Sequence, residues 1–205
     1  MIINKKKFVY LISPSKILNN KFYKDLELTL RSGKVSFFQL RLKKEKLQKK
    51  IFIGKKIRKI CKKYQVKFLI NDNPIIAKKL NADGCHLGQK DMNILKARKI
   101  LKNKIIGITC HNSINLAKKA ISSGANYLAF GAFYSSKTKK TKYKASLKIL
   151  SLVKKLTNTP VVAIGGIKDT NYKKLLLNKA NFLAISSYIW NNKKYKPLTA
   201  TLKLK

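Results

Sequence analysis

Acidic side chains are the scarcest chemistry in this 205-residue chain. Only seven are present: Asp25, Glu27, Glu45, Asp72, Asp83, Asp91 and Asp169. A reaction that needs a carboxylate as base, acid or metal ligand therefore has few candidates to draw on. Cysteine is rarer still. Cys61, Cys85 and Cys110 are odd in number, lie 24 and 25 residues apart and include no C-x-x-C pair. That argues against a disulfide framework and a zinc site of the usual spacing. Long apolar runs are missing too; none approaches the roughly 18 residues of a membrane-spanning helix. Met1–Lys7 is basic like the head of a signal peptide, but the apolar Phe8–Ile12 behind it is too short and no small-residue cleavage site follows. No proline-, glycine- or serine-rich linker divides the chain, so residues 1–205 are expected to form one domain. Hydrophobic residues make up 45%, which excludes intrinsic disorder. The expectation is a reduced, soluble, cytoplasmic globular protein.

Basic residues are abundant instead. Forty-eight lysines and arginines give a net charge of +41, yet only Arg31, Arg41, Arg58 and Arg98 are arginines. A dedicated nucleic-acid binder concentrates its charge and uses arginine for bidentate contacts. Here lysine is spread from end to end, beside much isoleucine and asparagine, as AT-rich coding produces. The charge is read as background, giving at most loose, salt-sensitive binding of polyanions. No specific nucleic-acid or membrane partner is expected, and oligomeric state is not legible.

Short apolar runs alternate with lysine-rich stretches of helical period. Eight strand candidates follow: Phe8–Ser13, Phe37–Arg41, Lys67–Asp72, Gly84–Gly88, Ile105–His111, Tyr127–Phe133, Val161–Ile167 and Phe182–Ile189. Leu47, Ile51, Ile57, Ile60, Cys61 and Tyr64 recur at helical spacing, as do Leu116, Ala117, Ala120 and Ile121. Ser113 and Asp169 stand where helix N-caps belong, and Gly33 and Gly124 where helices stop. Eight strand–helix units of about 26 residues each predict a single-domain (β/α)8 TIM barrel, with an open doubly wound sheet as competitor. A weak repeat favours the barrel: Ala82-Asp83-Gly84, Ala125-Asn126-Tyr127 and Ala180-Asn181-Phe182 each join a helix end to a buried strand, 43 and 55 residues apart.

In a barrel the carboxyl ends of the strands carry chemistry. After the second strand, Gln39, Arg41 and Lys43 alternate with Phe38, Leu40 and Leu42. Period 2 therefore turns an amide and two cations toward the lumen, a place for an anion. Asp72 and Asp91 follow the third and fourth strands, each also placed to cap a helix. Two of seven acids at adjacent strand ends, opposite a cationic one, suit Mg²⁺ held by carboxylates and substrate oxygens. His86 reads equally as a site residue or a satisfied buried histidine. The sixth strand runs into Ser135-Ser136-Lys137-Thr138-Lys139, and the last two into Gly165-Gly166 and Ser186-Ser187. These are loops suited to phosphate.

In order, FFQLRLK (37–43), LIND (69–72), ADGCHLGQKDM (82–92), IIGITCHNS (105–113), FGAFYSSKTK (130–139), VVAIGGI (161–167) and AISS (184–187) resemble the thiamine-phosphate synthase family. The resemblance implies a (β/α)8 barrel. It implies a transferase that joins 4-amino-5-hydroxymethyl-2-methylpyrimidine diphosphate to thiazole phosphate, releasing pyrophosphate, with Mg²⁺. By position it would make Asp72 and Asp91 the metal ligands. Arg41, Lys43, Asn71 and Lys139 would hold the diphosphate. Gln39 and Thr109 would lie along the pyrimidine, with His86 lining the site, and Arg41, Lys139, Thr109 and His86 would be catalytic. Ser136 and Thr138 would meet the thiazole, and Gly165, Gly166 and Ser186 its phosphate. The chain departs from the pattern with Thr109 in place of serine, Ser135-Ser136 in place of Pro-Thr, and Ala132 in place of proline. Two other readings are a thiazole tautomerase-like protein on the same barrel, whose branch tends to lack the second aspartate and the Thr-Lys pair, and a basic, non-catalytic nucleic-acid-associated protein.

Overall fold

A strand buried on both faces needs a partner on each edge, and eight parallel strands meet that need by closing on themselves. The computed structural model describes residues 7–135 and 143–205. Its strands are β1 (Val9–Ile12), β2 (Val35–Leu40), β3 (Lys67–Asn71), β4 (Gly84–Leu87), β5 (Ile105–His111), β6 (Tyr127–Gly131), β7 (Val161–Ile164) and β8 (Phe182–Ile185). They form a closed barrel in chain order, every neighbouring pair parallel, with β8 returning to β1. This is the expected (β/α)8 architecture.

Period 2 sorts the side chains into two cores. Val9, Leu11, Phe38, Phe68, Ile70, Leu128 and Phe130 pack outward under the helices. Tyr10, Ile12, Leu69, Tyr127, Ala129, Val162 and Ala184 fill the lumen. The helices present matching stripes: α2 (Leu47–Lys63) buries Ile53, Ile57 and Cys61 at four-residue spacing. Leu47, counted on that face from the sequence, is 54% exposed at the first position of α2.

The repeated Ala-Asx pairs have a physical cause. Before β4, β6 and β8 the preceding helix ends on a left-handed residue, Asn81, Gly124 or Lys179. The next alanine N–H then bonds back to the carbonyl of Ala77, Ala120 or Leu175, satisfying helix-end acceptors. The Asx residue after it clips the start of the preceding strand. Asp83 accepts the Phe68 N–H, Asn126 the Ile106 N–H and Asn181 the Val161 N–H, each at 2.9 Å. Their own N–H groups bond the carbonyls of Phe68, Ile106 and Val161. The repeat is thus the joint that ties each second strand to its neighbour at the amino end of the barrel.

Strand ends differ from the sequence reading in a consistent way. The sixth, seventh and eighth runs stop at Gly131, Ile164 and Ile185, where glycine or serine turns the chain out of the ladder. Ser187–Ile189, expected as strand, belongs to the short helix α8 (Ser187–Trp190). Ser113 does cap α5 (Ile114–Ser122), accepting from Leu116 N–H. Asp169 does not cap α7 (Tyr172–Leu177); Asn171 stands at that position. Among the described residues no helix is long and apolar enough to cross a membrane.

Candidate functional site

Among the described residues, the carboxyl ends of the strands gather expected polar residues on one rim. Asp72 leaves β3 in a left-handed conformation (φ 64°), its N–H held by the His86 carbonyl at 2.7 Å. That turn frees its carboxylate from capping, which falls to Asn73 at the start of α3 (Pro74–Lys79). Asp91 likewise caps no helix. Asn93 caps α4 (Ile94–Leu101), whereas Asp91 Oδ2 accepts the Gly88 N–H at 2.6 Å and closes the turn after β4. The two carboxyl groups are close enough to perturb each other's ionisation, and Lys43 Nζ lies 2.9 Å from Asp72 Oδ2.

Two carboxyls this close divide their charge. Burial pushes Asp72 up, but the Lys43 ammonium and the neighbouring Asp91 carboxyl hold its pKa below the usual carboxylate value. Burial raises Asp91, and the neighbouring Asp72 charge raises it further, against the Gly88 N–H. Such a pair is a hard oxygen donor set short of positive charge, which fits Mg²⁺. Among the described residues no group of three or more His, Cys, Asp and Glu could hold a metal, so substrate oxygens or water would complete the shell.

The expected lumen side of β2 is confirmed for Gln39, which is buried and donates from Nε2 to the Tyr10 hydroxyl at 2.9 Å. From there a line of hydrogen bonds crosses the barrel. The Tyr10 and Tyr127 hydroxyls are 2.7 Å apart; Tyr127 meets His86 Nδ1 at 2.8 Å; His86 Nε2 meets Thr109 Oγ1 at 2.9 Å. Burial and the nearby Arg41 depress the His86 pKa to about 4 despite the pull of Asp72, so its ring is neutral at physiological pH. His86 is thus a satisfied histidine, with both ring nitrogens partnered inside the lumen. Gln89 donates to the Thr109 carbonyl and steadies that strand end.

Across the mouth, Gly165 and Gly166 follow β7 with φ values of 107° and 62°. A Cβ on Gly165 would lie 2.3 Å from Ala132 Cβ, and one on Gly166 2.4 Å from the Ser135 carbonyl oxygen. Glycine here lets the loop after β6 dock on the loop after β7, through Phe133 N–H to the Ile164 carbonyl and Tyr134 N–H to the Gly165 carbonyl. Ser186 follows β8 and donates to the Ser13 carbonyl at 3.2 Å, while Ser13 Oγ accepts the Arg41 N–H at 2.9 Å. Ser13 thereby links the end of the second strand to the end of the eighth. Ser136, Thr138 and Lys139 lie outside the described residues.

Tyr10, Tyr127 and Ser13 were not singled out from the sequence. The first strand carries no diagnostic pattern, and a tyrosine inside an apolar run reads as core. The cysteines behave as expected: Cys61, Cys85 and Cys110 are free and buried, and burial pushes the Cys110 thiol up to about 12, out of nucleophile range.

The chain is similar to several known proteins. The family model described as thiamine monophosphate synthase matches residues 9–189. A thiamine-phosphate synthase from Pelagibacter ubique (strain HTCC1062) is 74% identical over 200 residues, covering 98% of this chain and 97% of the relative. Another, from Nitrosomonas eutropha (strain DSM 101675 / C91 / Nm57), is 38% identical over 161 residues, 78% of this chain and 76% of its own. Among solved structures, a thiamine phosphate pyrophosphorylase from Pyrococcus furiosus superposes with a TM-score of 0.85 at 27% identity, covering 98% of this chain and 94% of that one. The relatives favour neither the tautomerase-like nor the nucleic-acid reading. With the family model spanning most of the barrel and a relative matched almost end to end, the chain belongs to the thiamine monophosphate synthase family.

Proposed function

We propose that this rim joins the pyrimidine diphosphate to the thiazole phosphate, with the two substrates divided across the mouth. The observation that carries the division is the carboxyl pair Asp72–Asp91 beside Lys43, at strand ends next to Arg41 and Gln39. The pair would hold Mg²⁺, which supplies charge for the leaving diphosphate oxygens. Arg41, Lys43, Asn71 and Lys139 would bind the diphosphate itself. Gln39 and Thr109 would align the pyrimidine above the lumen network, with His86 beneath. Gly165, Gly166 and Ser186 would receive the thiazole phosphate, and Ser136 and Thr138 the thiazole.

The chemistry then needs no protein nucleophile. The bond from the pyrimidine methylene to the diphosphate oxygen breaks, and its electron pair leaves with pyrophosphate. The electron-rich aminopyrimidine stabilises the carbon cation. The thiazole nitrogen donates its lone pair to that carbon and forms the new C–N bond. Cations fixed where negative charge develops, and two substrates held in line, supply the acceleration. The test is incubation of the protein with both phosphorylated precursors and Mg²⁺, following thiamine phosphate and pyrophosphate together. Equal release of both products is expected; absence of thiamine phosphate in a folded, Mg²⁺-supplied sample would overturn the reading.

A further inference from the structure

The two ends of the lumen hydrogen-bond line, Gln39 and Thr109, are the two residues assigned to the pyrimidine. Between them lie Tyr10, Tyr127 and His86, contributed by β1, β6 and β4. The line is built in rather than incidental. Tyr10 is 1% exposed and Tyr127 3%. Their rings meet edge-on at 5.8 Å, and the His86 ring stacks on Tyr127 at 5.6 Å. Gly107 of β5 makes the space: a Cβ there would overlap the Tyr127 ring at 1.8 Å.

Such a line has a direction. Each phenol has one proton to give, and a neutral imidazole has one donor and one acceptor nitrogen. Since Tyr10 accepts from Gln39 Nε2, its own proton goes to Tyr127. The Tyr127 proton then goes to His86 Nδ1, the ring carries its proton on Nε2, and Nε2–H donates to Thr109. The Thr109 hydroxyl proton is left to donate onward. At the other end Gln39 Nε2 is engaged with Tyr10, and Oε1 is the acceptor the amide has to offer. Turning the Gln39 amide over reverses every bond in the line; no mixed order puts one proton in each of the four contacts. An oxygen is also the better end to present beside Arg41 and Lys43, which follow Gln39 at the next alternate positions.

We infer that Tyr10 and Tyr127 are specificity-determining positioning residues, because the line they complete makes Gln39 an acceptor and Thr109 a donor toward the bound ring. That pair complements an aminopyrimidine, whose amino group donates and whose neighbouring ring nitrogen accepts. It opposes an oxopyrimidine, whose carbonyl accepts and whose ring N–H donates. A site with buried polar groups committed to one order leaves them unpaired against the other ring. The inference rests on the placement of the pyrimidine between Gln39 and Thr109.

The chain contains only two histidines, His86 and His111, so ¹⁵N-histidine labelling resolves the His86 ring in the intact protein. Long-range proton–nitrogen correlation is expected to show one neutral tautomer at His86, protonated at Nε2. A Nδ1-protonated ring, or an even mixture of the two, would overturn the inference whatever the substrates do. The second arm compares the aminopyrimidine diphosphate with its 4-oxo analogue as competitors. Tyr127→Phe and, independently, Tyr10→Phe should each cut the preference for the amino ring at least tenfold and raise its KM, with the KM for thiazole phosphate unchanged. Thr109→Ala distinguishes the two levels of argument. If Thr109→Ala loses the preference and both Phe variants keep it, the line has no such role, though the pyrimidine placement stands. If all three keep it, the placement itself is wrong and the inference falls with it. A purely structural loss in the Phe variants would lower both substrates' use alike and leave the preference intact, which also counts against it.

Discussion

Asp72 and Asp83 stand eleven residues apart at opposite ends of the barrel, and their surroundings have almost nothing in common. At the amino end, Asp83 is consumed by the fold. Its carboxylate accepts the Phe68 N–H, its backbone N–H bonds the Phe68 carbonyl, and its carbonyl accepts from Ile105. Asn126 and Asn181 repeat the clip at β5 and β7. At the carboxyl end, Asp72 is turned away from any backbone donor by its left-handed φ and paired with a lysine and a second acid. The same side chain is taken up by the backbone at one end and left to other side chains at the other. This is the physical content of the rule that barrels react at one end and hold together at the other.

The contrast is sharpest in its largest expected effect. Asp72→Asn or Asp91→Asn should lower coupling activity about a hundredfold or more at limiting Mg²⁺, because a carboxylate lost from a two-carboxylate site removes several kcal/mol of charge stabilisation. Thermal unfolding should barely change. Full activity in both variants at limiting metal would break the comparison at its centre.

Asn126→Ala should do the reverse. It leaves the Ile106 N–H and the Arg98 guanidinium without the amide oxygen they share. That costs about 1–3 kcal/mol of stability, or a fall in Tm of roughly 2–4 °C per kcal/mol at this chain length. Steady-state rates measured well below Tm should remain those of the parent. A loss of rate without a loss of stability would mean that the amino end is not merely a joint.

Ser186→Ala probes the far side of the mouth. Turned from the Ser13 carbonyl to a bound phosphate, the Ser186 hydroxyl would contribute about 1.5 kcal/mol, so the KM for thiazole phosphate should rise about tenfold with kcat moving less. A change confined to the pyrimidine diphosphate would invert the division of the rim.

The smallest effect is expected from Asp83→Asn. The amide oxygen can still accept from Phe68, and only the exposed Lys67 pair at 3.5 Å is lost. Stability should change by less than about 0.5 kcal/mol, with activity untouched. Set beside Asp72→Asn, the same exchange would then differ by orders of magnitude in activity between the two ends of one fold.

Much of this was legible in the chain itself. Apolar runs at regular spacing mark all eight strands, because a strand buried on both faces must be apolar throughout. The polar residues that interrupt those runs at their carboxyl ends, Arg41, Asp72, Asp91 and Ser186, stand out because such burial tolerates few of them. Alternation along β2 assigns Gln39 to the lumen without reference to any other strand. What the tertiary structure alone decided lies between strands. Tyr10 and Tyr127 are 117 residues apart, and their contact depends on the stagger with which the barrel closes and on the space left by Gly107. The left-handed turn at Asp72 depends on the His86 carbonyl across the ladder, and the Gly165–Gly166 conformation on a loop more than 30 residues earlier. Local sequence sets which face a side chain takes, since that follows from its own backbone. Which group it meets there is set by closure of the sheet, a property that no single segment carries.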